Sequence, residues 1–197
     1  STVIESLTKN RCDVRLQAQR KAQPAMTDLW LVFAPIKKAR IDFVAEKATE
    51  LGVSEIRPVI TRRTVMTRVN TQRLAANARE AAEQCERLEI PVVVEPVRLE
   101  TLLADWPRDR RLLWCDEHGS GPPIAEGLLA LSAAERQAPW AILIGPEGGF
   151  DESERLKLGG LDYAFPVSLG PRVLRADTAA AAALSVWQSI IGDWRFT

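Results

Sequence analysis

The sequence predicts an α/β fold, a mostly parallel sheet covered by helices on both faces. Three observations carry that prediction. Several strand candidates are unbroken apolar runs, the pattern of strands buried on both faces. The stretches between them repeat apolar residues at spacings of three and four, the period of a helix. A chain of 197 residues, 46% hydrophobic and 26% charged, is long and apolar enough to bury one large core.

The elements follow in order. Thr2-Val3-Ile4 and Cys12 to Leu16 read as short strands around the polar turn Thr8-Lys9-Asn10. Two strands cannot close a core, so residues 1–23 read as the end of something larger, joined by the linker Gln23-Pro24-Ala25. Leu29 to Ala34 is a buried strand stopped by Pro35. Ile41, Val44, Ala48 and Leu51 form a helical stripe, with Gly52 as its stop. Ile56 to Ile60 is a strand. A long helix is expected over 71–88, with Leu74, Ala78, Ala81, Cys85 and Leu88 on its core face. Pro91 to Val94 and Arg111 to Cys115 are strands, Ile124 to Ala133 a helix, and Trp140 to Ile144 a strand ending at Gly145. Asp151, with Glu154 three residues on, has the form of a capping box. Ala164 to Leu169 is the last strand, and 176–191, with five consecutive alanines, the closing helix. The six tryptophans fall mostly on strands and this helix, where packing is their expected role.

Composition excludes a disordered chain, and three cysteines (Cys12, Cys85 and Cys115) exclude a disulfide scaffold. No apolar run approaches the roughly 18 residues of a membrane span, and the first residues lack the pattern of a signal peptide, so a cytoplasmic location with reduced thiols is expected. The net charge of zero hides a gradient: residues 1–79 hold 15 Lys+Arg against 7 Asp+Glu, and residues 80–197 hold 11 against 19. A basic half points to a polyanion, or to a solvated surface balanced across a dimer.

In open α/β sheets, ligands bind beyond the carboxyl ends of strands. Two such ends stand out. Ile144-Gly145-Pro146-Glu147-Gly148-Gly149-Phe150 has three glycines that bring backbone close to a ligand. It lacks the P-loop lysine, and Glu147 repels anions, so a neutral or cationic ligand suits it, unless the glycines serve only a tight turn. Ser168-Leu169-Gly170-Pro171-Arg172-Val173-Leu174-Arg175 joins a glycine turn, two arginines and a helix start, groups that favour developing negative charge. The plainer reading is that Arg172 and Arg175 form surface ion pairs. Cys115-Asp116-Glu117-His118 gathers metal-type ligands, but His118 is the only histidine and neighbouring side chains on a strand end point apart, so no metal is expected.

Glu46-Lys47-Ala48-Thr49-Glu50-Leu51-Gly52-Val53, Glu80 to Arg87 before Pro91, Gly145 to Phe150, and Leu169-Gly170 through Ala179 occur in this order and spacing. Together they closely resemble the ribosomal RNA small subunit methyltransferase E family, over about residues 28–191. The resemblance implies a SPOUT-type fold with a C-terminal trefoil knot, S-adenosyl-L-methionine (SAM) as cofactor, methylation of N3 of a uridine in 16S rRNA of the small subunit, and a homodimer. It implies an N-terminal PUA-like barrel, of which residues 1–23 would be a remnant before the methyltransferase domain, 24–197. Carried over by position, Leu143, Ile144, Gly145, Pro146, Gly148 and Gly149, with Ser168, Leu169, Gly170, Val173 and Leu174, would hold the cofactor. Arg175, then Arg172, would stabilise the uridine anion, and Glu147 would accept a proton or orient the base. Arg62, Arg63, Arg79 and Arg87 would hold phosphates. Two positions depart from the family: Asp177 stands where Glu is usual, and Pro171 lies inside the Leu-Gly-x-Arg turn. The rivals are a non-catalytic RNA-binding module and a hydrolase built on Cys115 and His118.

Overall fold

The computed structural model describes residues 2–19, 27–66, 68–119 and 121–196, so the expected linker Gln23-Pro24-Ala25 and the boundary beside it lie outside the described residues. β1 (Thr2–Leu7) and β2 (Cys12–Leu16) pair antiparallel, as their sequence predicts. Val3, Ile4, Leu7, Val14 and Leu16 are all exposed on this hairpin.

The body runs β3 (Leu29–Phe33), α1 (Lys38–Glu50), β4 (Glu55–Ile60), α2 (Thr71–Gln84), β5 (Val92–Val93), β6 (Val97–Arg98), α3 (Leu99–Ala104) and β7 (Arg111–Cys115). It continues through α4 (Ile124–Leu129), α5 (Ala133–Gln137), β8 (Trp140–Ile144), α6 (Glu152–Gly159), β9 (Ala164–Val167) and α7 (Ala176–Ile190), ending in a 3₁₀ turn at Asp193–Phe196. The strands order β5-β4-β3-β8-β7-β9, with β6 also on β4, and all these pairings are parallel.

Side chains alternate across a strand, so the two central strands divide the core. Leu31, Phe33, Ile142 and Ile144 face the layer that α1 and α7 complete with Val44, Ala48, Ala183 and Leu184. Val32, Ala141 and Leu143 face the opposite layer, with Leu102 and Leu103 of α3 and Leu158 of α6. β8 is buried along all five residues, which explains why it reads as an unbroken apolar run.

Three expectations change. The helix predicted to 88 ends at Gln84, because Cys85 is its cap and Glu86 turns left-handed at φ 58°. Cys85 is therefore exposed, not core, and Leu88 is exposed with it. The helix expected over 124–133 is two helices, since Ser132 and Glu135 form a capping box that starts α5 afresh. The last strand stops at Val167, and Ser168 continues only as an isolated bridge to Pro123. Trp106, Trp114, Trp140 and Trp187 are core residues as expected, whereas Trp30 is half-buried against the guanidinium groups of Arg57 and Arg110, and Trp194 is exposed.

Candidate functional site

β8, β7 and β9 are consecutive in the sheet, so their carboxyl ends lie side by side. The loops leaving them enclose a cleft of about 680 Å³, within the usual range for small-molecule sites. Ile144, Gly145, Pro146 and Gly149 line it from the loop after β8, and Ser168, Leu169, Gly170, Val173 and Leu174 from the loop after β9. Glu147, Arg172 and Arg175 line it too. Two of the expected cofactor positions do not. Leu143 points into the opposite core layer, one residue out of phase with Ile144. Gly148 faces away, against the aliphatic part of Arg63.

The first loop is a tight turn for local reasons. The Gly149 N–H donates to the Pro146 carbonyl at 2.9 Å, and Gly149 takes φ +68°, a conformation that favours glycine. A Cβ there would lie 2.1 Å from Glu117 Oε1. Phe150 turns back under the loop, buried against the edge of Trp114, and a Cβ on Gly145 would meet its ring at 2.8 Å. Asp151 and Glu154 make the expected capping box, which starts α6. Buried Glu154 also accepts the Arg62 N–H at 2.8 Å, and Arg63 Nη1 donates to the Gly148 carbonyl at 2.9 Å.

The second loop rests on the segment after β7. The Ser168 N–H donates to the Pro122 carbonyl, and Ser168 returns its carbonyl to the Ile124 N–H. Gly121 passes so close that a Cβ would overlap the Pro166 carbonyl. Gly170 turns at φ +104° with open space where a Cβ would be, which leaves backbone facing the cleft. Arg175 caps α7 without a side-chain bond to it. Arg172 and Arg175 are exposed, and neither makes an ion pair among the described residues, so the surface-pair reading is not what the structure shows. Asp177, in the first turn of α7, is buried and bonded at 2.6 Å to Arg40 Nη1 of α1. The shorter acid thus has a partner from an element 137 residues away, a contact with no local sequence signal.

A third wall comes from residues 115–119. The acidic and histidine side chains expected to point apart instead bring Asp116, Glu117 and His118 ligand atoms within 4.8 Å of one another. The turn after β7 breaks strand alternation and so gathers them. Each has protein contacts: Asp116 accepts from Arg155 and from the His118 N–H, and Glu117 accepts the Phe150 N–H at 3.0 Å. Cys115 is buried, and desolvation pushes its thiol up to about 12, so it stays neutral and unsuited to nucleophilic attack.

Among the phosphate candidates, Arg62 and Arg63 are exposed beside the first loop, and Arg79 is exposed on α2. Arg87 is half-buried, donating to the Thr49 and Val53 carbonyls at the end of α1, and burial lowers its pKa.

A parallel sheet with these two loops is the architecture of a known class, and residues 23–188 match the family described as RNA methyltransferase domain. Ribosomal RNA small subunit methyltransferase E of Rickettsia conorii is 32% identical over 182 residues, 92% of this chain and 72% of the relative. The Bacillus subtilis protein of the same name is 30% identical over 156 residues, 76% of this chain and 60% of its own length. This chain belongs to the ribosomal RNA small subunit methyltransferase E family. Among solved structures, the Neisseria gonorrhoeae member bound to S-adenosyl methionine has TM-score 0.79 and 25% identity, covering 100% of this chain and 79% of that one. A Legionella pneumophila protein solved with bound SAM has TM-score 0.75 and 33% identity, covering 95% and 77%.

Proposed function

We propose that the chain is a SAM-dependent methyltransferase acting on N3 of a uridine in 16S rRNA of the small ribosomal subunit. The observation that carries this is the convergence of both glycine loops and both arginines on one cleft at the carboxyl end of the sheet. The residues present fit the cofactor. Gly170 leaves room for a ligand against its backbone, and two structures of this fold are described with SAM bound.

When bound, SAM supplies a methyl group on a sulfonium, already electrophilic. The protein's tasks are then alignment and proton removal. Ile144 to Pro146, Gly149 and Ser168 to Leu174 orient the donor, through backbone more than side chains. Uridine N3 carries a proton and attacks poorly until it is lost. Arg175, seconded by Arg172, faces O2 or O4 and stabilises the delocalised anion. Glu147, exposed on the cleft wall, takes the proton or orients the base. Arg62, Arg63 and Arg79 hold phosphates, and Arg87 contributes least, its guanidinium being engaged by carbonyls.

The reading includes a C-terminal trefoil knot, made where the closing segment tucks through the loops Leu143 to Gly149 and Ser168 to Leu174. It includes a homodimer, for which Val173, 89% exposed on the cleft rim, offers an apolar contact. The exposed β1–β2 hairpin fits a remnant of a PUA-like barrel, and a cytoplasmic location goes with a ribosomal substrate. No helix among the described residues is long and apolar enough to cross a membrane.

Titration calorimetry of the purified chain with SAM tests the reading. Saturable binding near one ligand per subunit is expected. A folded chain that binds RNA but no SAM would overturn it and leave the RNA-binding module.

A further inference from the structure

The turn that carries Glu147 is held from both sides by charged residues outside it. Arg63 Nη1 donates to the Gly148 carbonyl at 2.9 Å, and Glu117 Oε1 accepts the Phe150 N–H at 3.0 Å. These two groups flank Gly149, the residue at φ +68° whose missing Cβ makes room for that same carboxylate oxygen. Rotating the Gly149 peptides breaks both bonds at once. Inside the turn, the Pro146 carbonyl and the Gly149 N–H close the ring at 2.9 Å.

We propose that Arg63 and Glu117 are positioning residues: they clamp the Pro146–Phe150 turn in the form that receives SAM. The inference rests on the cofactor reading of this cleft and deepens it. Glu117 thereby has a task other than metal binding. Its Oε1 also lies 3.2 Å from His118 Nδ1, so the carboxylate is fixed at the junction of two loops. Arg63 is exposed, and its remaining guanidinium N–H groups stay available to a phosphate while Nη1 stays on Gly148. The clamp therefore joins the proposed RNA-facing surface to the loop that meets the cofactor.

The test is SAM affinity without RNA, where a residue that only binds phosphate has no effect. Arg63→Ala should weaken SAM binding about 3- to 10-fold, the range of one exposed hydrogen bond. Glu117→Ala should weaken it at least about 10-fold, and Glu117→Gln should recover most of the loss, because an amide oxygen still accepts the Phe150 N–H. In turnover assays at saturating RNA the variants should raise KM for SAM by a larger factor than they lower kcat. Wild-type affinity in Arg63→Ala and in a folded Glu117→Ala would overturn the clamp. So would Glu117→Gln binding as poorly as Glu117→Ala, since the carboxylate charge would then be acting on the ligand directly. If Glu117→Ala does not fold, Glu117→Gln and Arg63→Ala still decide. A wild-type chain that binds no SAM would refute the cofactor reading itself, a distinct result.

Discussion

Arg175 is the N-cap of α7 and lines the cleft, with no ion pair among the described residues. An exposed guanidinium left unpaired beside the cleft costs nothing in water and acts when negative charge develops nearby. Its contribution belongs to the transition state, so Arg175→Ala should lower kcat by about a hundredfold to a thousandfold and change SAM affinity by less than about 3-fold. Stopped single-turnover assays beside calorimetry separate the two. Equal losses would reassign Arg175 to cofactor binding. Cys115 shows the reverse case, a residue of reactive type made inert by its surroundings: its pKa near 12 comes from burial alone. A hydrolase built on Cys115 and His118 has no thiolate to work with near neutral pH.

At the scale of elements, α7 must start in one place for Arg175 and Leu174 to reach the cleft. Asp177 fixes that start by pairing with Arg40 of α1, which packs on the same face of the sheet. Asp177 also favours the positive end of the α7 dipole. Asp177→Asn should cost about 1–2 kcal/mol, below the roughly 3–5 of a fully buried pair because the Arg40 side chain is 39% exposed. The denaturation midpoint should fall at constant m, and Asp177→Glu, which keeps the carboxylate, should restore most of it. An Asp177→Asn chain as stable as wild type would show that α7 is placed by packing alone. Elements like α6 were legible in the sequence because their signals are local: Asp151 and Glu154 lie within one turn. The two site loops were legible for the same reason, as glycines and arginines clustered along the chain. The end of α2 was not, because Cys85 and Leu88 keep the helical period on either side of Glu86, where the backbone breaks. Nor were Glu117 with Phe150 or Arg40 with Asp177, since each pair meets only once the strand order and the helix packing are set.

Over the whole molecule the charge gradient meets the cleft at one edge. The basic half of the chain, residues 1–79, contributes Arg62 and Arg63 beside the first loop and Arg79 on α2, while Glu147 and the capping acids come from the acidic half. Under the proposed function, a polyanion is held by the first half and presented to chemistry built from the second. Holding phosphates releases counterions, with a slope of log K against log salt of about −0.7 per phosphate for single-stranded RNA and about −0.9 for a duplex. Three exposed arginines predict a slope of about −2 to −3 for a 16S rRNA fragment between about 50 and 200 mM salt. Arg79→Ala should reduce that slope by roughly 1 without altering SAM affinity. Arg87→Ala should act elsewhere: its guanidinium closes carbonyls at the end of α1, so it should lower the melting temperature and leave the slope within about 0.5 of wild type. Fluorescence anisotropy over a salt series, beside thermal melts of both variants, measures each. A slope near zero would mean that the basic residues serve solubility or subunit contact, and the RNA would have to be gripped through bases and loops rather than along its backbone.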